Sequence, residues 1–404
     1  MQTKTTVSMS RRRFAQLLGA GAAYTAAHPR FSSAERLAPF APRSFSAAGS
    51  VIRLSSNENP YGPSPMAVKA MTDAFSLAWR YPDEHADSLI ETLAKINGVE
   101  REQILIGDGS GEILKLCASA FTGPMSNAKH DSVALATPTR GGALRSFAPG
   151  RGKMIVANPT FEAIANHANI SGAEVVKVPL AKSFAHDLSK MAAAANEGLI
   201  YICNPNNPTA SITPKNELRE FIAKSPRDTM ILVDEAYYHY ADSADYESVI
   251  PLVKNYPNLI VARTFSKIYG MAGLRCGYCV AQRETIQRMR PHQTWDSVNI
   301  MALVAAIASL NDGSQVTNGR RLNGETRTYL SAELKSMGYE HIPSQANFIM
   351  IDLRRPVLPF IAALKQRNVQ VGRLFPALPN HMRVTVGKRP EMETFLSAFR
   401  EVMT

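Results

Sequence analysis

An apolar run ends in Ala262-Arg263-Thr264-Phe265-Ser266, and a single lysine, Lys267, follows it. A glycine-rich turn then leads to Arg275, eight residues beyond the lysine. A lysine amine in such a place can hold an aldehyde cofactor as a Schiff base. The later guanidinium can hold that cofactor's phosphate through paired hydrogen bonds. Lys267 taken alone also fits an ordinary surface lysine, so its neighbours along the chain matter.

Three further polar groups follow apolar, strand-like runs. In open α/β sheets ligands gather beyond the carboxyl ends of the strands. Ile106 is followed by Gly107-Asp108-Gly109-Ser110-Gly111-Glu112 and then a helical stretch. A glycine-rich turn that opens a helix offers free backbone N–H groups and a positive dipole end to a phosphate; a plain helix cap reads the same. Cys203 is followed by Asn204-Pro205-Asn206-Asn207-Pro208-Thr209, and Val233 by Asp234-Glu235-Ala236-Tyr237. An acid at the end of a buried strand is costly without a cationic partner. A protonated pyridine nitrogen would be such a partner, and a helix-capping role for Asp234 is the alternative. Each signal is weak alone, and their joint order is what carries specificity.

The elements that must position these groups alternate. Strands are expected at 154–157, 174–178, 199–203, 230–233, 259–262 and 276–281, as apolar runs rather than alternations, which suits a parallel sheet covered on both faces. Helices are expected at 111–121, 161–171, 214–224 and 297–310. Beyond residue 318 a long helix (319–337), a strand at 347–352, a helix at 356–367, a strand at 382–386 and a final helix (390–403) read as a smaller α+β domain. The segment 122–153, with Thr139-Arg140-Gly141-Gly142 and Pro149-Gly150-Arg151-Gly152, reads as a long surface insertion without elements of its own. Cys276 and Cys279 have C-x-x-C spacing. On a strand, residues three apart face opposite sides, so two packing cysteines are expected and no redox pair or metal site.

Asn-Pro-Asn-Asn-Pro-Thr, Asp-Glu-Ala-Tyr, and Ser-Lys with Gly-Leu-Arg beyond it, in this order and spacing, resemble the fold-type I pyridoxal-phosphate aminotransferases of class I/II. Ser56-Asn57-Glu58-Asn59-Pro60-Tyr61-Gly62-Pro63, Arg80-Tyr81-Pro82-Asp83 and Ala346-Asn347-Phe348 are similar to the histidinol-phosphate aminotransferase branch. The resemblance covers about residues 50–404 outside the insertion. It implies a large domain with a mostly parallel seven-stranded sheet flanked by helices (91–317), a small domain (318–404) and an N-terminal arm (51–90) that adds to the small domain and to dimer contacts.

The resemblance also implies roles. Lys267 would carry pyridoxal 5′-phosphate and shuttle the proton at the substrate's α-carbon. Asp234 would keep the pyridine nitrogen protonated. Asn207 and Tyr237 would hydrogen-bond the phenolic oxygen, and Asn207 would also face the substrate. Arg275, Ser266 and the Gly109-Ser110 backbone would bind the phosphate, and Phe161 would stack on the ring. Tyr81 would reach the phosphate from the partner subunit, which implies a homodimer. Arg383 would clamp the substrate's carboxylate or phosphate, with Tyr61 and Arg373 also on the substrate side. The reaction would pass an amino group from an amino acid or a histidinol-phosphate-like amine to a 2-oxo acid such as 2-oxoglutarate. Decarboxylation, racemisation or elimination on the same cofactor is the alternative, and a non-catalytic periplasmic binder is a remote one that an intact Lys267 disfavours.

Two departures from the family pattern stand out. Ala210 follows Asn207-Pro208-Thr209 where the family has glycine, and an alanine resists positive φ, so the loop is expected to differ. Gly372-Arg373-Leu374 lacks the acid that usually follows the arginine.

The remaining signals concern location and partners. Ser10-Arg11-Arg12-Arg13-Phe14 and the small-residue run after it resemble a twin-arginine export signal over 1–27, with a Ser/Ala/Pro-rich linker to residue 50. That implies a periplasmic enzyme exported already folded, and a cytoplasmic one without the signal. Histidine biosynthesis is cytoplasmic, so export would imply another amino donor. Of the net charge of +11, residues 1–50 contribute seven Lys/Arg against one acid. No basic stripe or nucleic-acid motif accompanies that charge, so no nucleic-acid partner is expected. No run of about 18 apolar residues occurs, so no membrane span is expected either.

Overall fold

Three consecutive strands of the central sheet are buried along their whole length, because their Ile, Leu, Val, Ala and Tyr side chains are covered on both faces. The computed structural model describes residues 51–124, 150–195 and 197–403, together with the backbone of 135–138 and 144–147. The expected export signal and linker lie outside the described residues, as does most of the 122–153 segment.

The strands in chain order are β1 (Ile52–Leu54), β2 (Ile104–Gly107), β3 (Leu135–Pro138), β4 (Leu144–Phe147), β5 (Lys153–Asn158), β6 (Val175–Pro179), β7 (Gly198–Cys203), β8 (Thr229–Asp234), β9 (Leu259–Thr264), β10 (Gly277–Ala281), β11 (His341–Ile342), β12 (Phe348–Asp352), β13 (Val369–Val371) and β14 (His381–Thr385). The seven-stranded sheet runs β2-β10-β9-β8-β7-β5-β6. Only β10 is antiparallel to its neighbours. The fold is therefore α/β with a mostly parallel sheet, as expected.

Register gathers the chemistry at one edge. Cys203 pairs with Asp234, and Asp234 with Ala262. Gly277, the first residue of β10, pairs with both Thr264 and Gly107, where β9 and β2 end. Because β10 runs the other way, the residues that lead into it, Arg275 included, enter at the edge where the parallel strands leave. Two cores flank this sheet, one containing Ile106, Val233 and Cys276, the other Leu105, Leu232 and Cys279. Cys276 and Cys279 are thus buried, unpaired and on opposite faces, as the strand spacing requires.

A three-stranded antiparallel sheet, β11-β12-β14, has its own core, with Leu330, Leu334, Phe395 and Phe399 from the helices Gln315–Ser336 and Arg389–Met403. β1 pairs in parallel with β13, Ile52 opposite Val369. One difference from the sequence reading concerns the insertion: β3 and β4 pair antiparallel there, Leu135 opposite Phe147. At four residues each they are too short to leave a periodic signal. Among the described residues no helix is long and apolar enough to cross a membrane.

Candidate active site

A cavity of about 500 Å³ opens at the strand ends. Its floor is built at the start of the helix Gly109–Phe121, which no side chain caps. The first-turn N–H groups of an uncapped helix suit an anion. Ser110 and Gly111 line the cavity there. Gly277 lets this helix approach, since a Cβ at 277 would stand 2.4 Å from the Ser110 nitrogen. Gly109 has φ +73°, and a Cβ there would meet Arg275 Nη2 at 2.2 Å. Arg275 itself takes φ 61°, a left-handed backbone that a non-glycine residue keeps only when its surroundings impose it. Its guanidinium donates to Ser266 Oγ at 3.4 Å and to the carbonyls of Ala272 and Asp108. These groups make a cationic cradle beside Ser266.

Asp234 ends β8 and is 2% exposed. Its carboxylate accepts from Tyr201 Oη at 2.9 Å and from the Ala236 N–H at 3.1 Å. Burial raises its pKa to about 6, against the pull of those two hydrogen bonds. The next residue, Glu235, has its cation: Arg263 donates to it twice, at 2.8 and 3.0 Å, and stacks 3.6 Å over the Tyr238 ring. Asp234 has no ion pair among the described residues and faces the cavity.

Lys267 is partly buried in the turn after β9. Its Nζ donates to the backbone carbonyls of Asn57 (3.1 Å) and Ser56 (3.3 Å) and lies 5.5 Å from the Tyr237 ring centre. Burial first, and then the charge of Arg383, bring its pKa down to about 8. An amine held by neutral carbonyls at such a pKa is a usable nucleophile near neutral pH.

Tyr237, buried, accepts at its hydroxyl from Asn57 Nδ2 (3.1 Å) and Asn207 Nδ2 (3.4 Å). Burial pushes its phenol above the ordinary range. Asn207 in turn accepts from Arg383 Nη1 at 2.6 Å. Arg383, on β14, also donates to the Ser55 carbonyl at 2.6 Å, while its Nε is buried with no partner. No acid pairs with it among the described residues, so it faces the cavity as a free cation.

The cavity thus brings together Lys267, Asp234, Tyr237, Asn207, Ser266, Arg275, Ser110, Phe161, Arg373 and Arg383, with Gly109 packed beneath Arg275. Tyr61 and Tyr81 are not brought there by this chain: Tyr61 lies under Lys388, 5.6 Å from its Nζ, and Tyr81 is 81% exposed. Both departures have a structural account. Ala210 adopts φ 59° after all. Its N–H donates to the Asn206 carbonyl at 2.7 Å and its carbonyl accepts from Gln345, which hold the loop in that conformation. The acid missing after Arg373 comes from another element, since Glu162 pairs with Arg373 at 2.6 Å. Sequence reading missed Asn57 and Tyr201 as site residues. Asn57 sits inside a recognised motif, but Tyr201 looks like any apolar strand residue.

The class I and II aminotransferase family model matches residues 49–399. The chain belongs to this family. It is 37% identical over 358 residues to a histidinol-phosphate aminotransferase of Moorella thermoacetica, covering 87% of this chain and 86% of that one. A histidinol-phosphate aminotransferase of Sinorhizobium meliloti, solved in complex with pyridoxal-5′-phosphate, shares the fold with TM-score 0.77 at 24% identity, over 92% of this chain and 98% of that one. An L-threonine-O-3-phosphate decarboxylase of Porphyromonas gingivalis also shares it, with TM-score 0.72 at 22% identity, over 87% of this chain and 99% of that one. An aminotransferase fold thus surrounds the cavity, and its seven-stranded sheet supplies the polar strand ends.

Proposed function

We propose that this aminotransferase uses pyridoxal 5′-phosphate to move an amino group from an amino acid or a histidinol-phosphate-like amine to a 2-oxo acid such as 2-oxoglutarate. The observation that carries the reading is Asp234: a buried acid with no ion pair among the described residues, in the same cavity as a lysine whose amine donates to carbonyl oxygens. The residues fit the cofactor at each end. The uncapped helix start, Ser266 and Arg275 would hold the phosphate, and the Gly109 cradle leaves no room for a side chain. Asp234 would hold the ring nitrogen, Asn207 and Tyr237 the phenolic oxygen, and Phe161 a ring face.

Bound, the cofactor supplies an electron sink for the substrate's α-carbon. The chain's residues do the rest. Lys267 Nζ would hold the cofactor and, once the incoming amine has displaced it, would be free to take and return the proton at the α-carbon. Arg383 binds the substrate carboxylate and fixes which bond faces Lys267. Asp234 would stay ionised beside a ring cation, whose charge would offset the burial that raises its pKa.

Two further readings belong to this proposal. The enzyme acts as a homodimer: Met66, Val68, Phe75, Trp79 and Tyr81 are all exposed along one short stretch, an apolar surface that favours a partner. Tyr81 then completes the partner's phosphate site. The Arg11-Arg12 segment directs export to the periplasm by the twin-arginine route.

The test is addition of pyridoxal phosphate to purified protein, with an amino-donor screen and Lys267→Ala alongside. The expected result is visible absorbance and borohydride-fixable label on Lys267, with conversion to the pyridoxamine form by amino donors. No visible band in the wild type, or turnover by Lys267→Ala, refutes the reading. Carbon dioxide release without the pyridoxamine form refutes transamination in favour of decarboxylation.

A further inference from the structure

Two guanidinium groups share one aromatic ring at the substrate side of the cavity. Arg373 lies 4.5 Å and Arg383 5.1 Å from the Phe375 ring centre. Their closeness is built in: the Gly372 N–H donates to the Arg383 carbonyl at 2.8 Å, and a Cβ at 372 would stand 3.0 Å from Arg383 Cβ. The two charges are treated differently. Arg383 is buried with no acid on it among the described residues. Arg373 is neutralised by Glu162, whose Oε2 lies 2.6 Å from its Nη2. Glu162 follows Phe161 directly and lines the cavity. Both members of the pair are about half exposed, 54% and 55%, so a ligand entering the cavity can reach them.

Given the aminotransferase reading above, we propose that Glu162 is a specificity-determining residue that sets which charge the far end of the substrate carries. A substrate's carboxylate goes to the free cation, Arg383. A second anionic group, carboxylate or phosphate, finds Arg373 already occupied and must displace Glu162 before it can bind. A neutral far end leaves the pair intact, and a cationic one is attracted to Glu162. Glu162 therefore lessens, without abolishing, the preference for dianionic substrates such as 2-oxoglutarate that two arginines would otherwise give the cavity. An exposed ion pair contributes little to stability, which is what a displaceable pair requires.

The test compares wild type with Glu162→Gln, which keeps the shape and removes the charge. Binding of succinate and of butyrate to the cofactor-loaded protein is measured by titration calorimetry, beside kcat/KM for aspartate, leucine and lysine as donors. We expect the succinate-to-butyrate affinity ratio to rise about fivefold in Glu162→Gln, an exposed-pair effect, and to fall back at high ionic strength. Aspartate gains through KM with kcat steady, leucine is unchanged and lysine loses. Adding Arg373→Gln to Glu162→Gln abolishes the gain. An unchanged succinate-to-butyrate ratio, or an equal loss for all ligands, overturns the proposal. The binding ratio is read whether or not the protein turns over, so absent transamination with a shifted ratio sinks the functional reading and leaves the charge selection standing.

Discussion

Arg383 Nη1 stands 2.6 Å from Oδ1 of Asn207, whose own Nδ2 reaches the Tyr237 hydroxyl at 3.4 Å. One amide therefore joins the residue that would clamp the substrate to the residue that would hold the cofactor's phenolic oxygen. Burial raises the Tyr237 phenol, while the Asn57 hydrogen bond and the Arg383 charge pull it down. A carboxylate drawn onto Arg383 must be felt at Tyr237.

Asn207→Ala should accordingly weaken both ends. It leaves Arg383 with one polar partner, the Ser55 carbonyl, and removes a donor from Tyr237. Hydrogen bonds to charged groups contribute about 1.5–3 kcal/mol, so substrate KM and cofactor Kd should each rise at least about tenfold. Steady-state kinetics and cofactor titration measure the two separately. A rise in one with no change in the other would show that the asparagine does not couple the ends.

Lys267 gives a pH dependence with a definite sign. Its ammonium is disfavoured, so the amine form dominates above about pH 8, whereas a solvated lysine must reach about pH 10.4. The rate of cofactor capture by the apoprotein should climb about tenfold per pH unit below that point and level off above it. In Arg383→Gln, with a repelling charge gone, the plateau should begin at higher pH. Stopped-flow absorbance between pH 6 and 10 reads both, and a climb continuing to pH 10 in the wild type contradicts the assignment.

The phosphate cradle is open to a steric test. Gly109→Ala puts a methyl 2.2 Å from Arg275 Nη2 at a φ of +73°. The left-handed backbone alone costs an alanine about 1–2 kcal/mol, and the guanidinium must move. Arg275 is an exposed, flexible side chain, so the fold should persist with a modest fall in Tm while cofactor affinity drops at least about tenfold. Gly273→Ala, where the added atom meets nothing within 4 Å, is the control and should bind as the wild type does. Equal affinities for the two variants would remove Arg275 from the phosphate site.

Much of this site was legible because each part sits where an apolar run stops and polar punctuation begins, a signal written in adjacent residues. Lys267, Asp234 and the Gly109-Ser110 turn are of this kind. What stayed hidden depends on sheet order and register. The Tyr201 hydroxyl reaches Asp234 only because β7 pairs with β8, and neither strand's periodicity encodes that. Glu162 meets Arg373 from a segment far earlier in the chain, so the missing acid looked like a defect. The Ala210 backbone conformation was misjudged because residue type alone cannot register the hydrogen bonds that hold it.

Asp234 should oppose apoprotein stability while serving cofactor binding. Its folded pKa, about 6, lies above the ordinary carboxylate value of 3.8. Between those values the folded state holds the proton more tightly than the unfolded chain, so stability falls as pH rises through that window. The displacement corresponds to about 2–3 kcal/mol at neutral pH. Asp234→Asn removes the charge but keeps an oxygen for the Tyr201 hydroxyl or the Ala236 N–H, not for both, so the net gain should be about 1–2 kcal/mol. Urea unfolding of the two apoproteins should show the variant more stable at pH 7, with the difference shrinking steadily from pH 6 to pH 4. Cofactor affinity should move the other way and fall, because the ring nitrogen loses its counter-charge. An apo variant less stable than wild type at pH 7, or a gap that widens toward pH 4, would mean that Asp234 is already charge-compensated within the fold and does not await the ring.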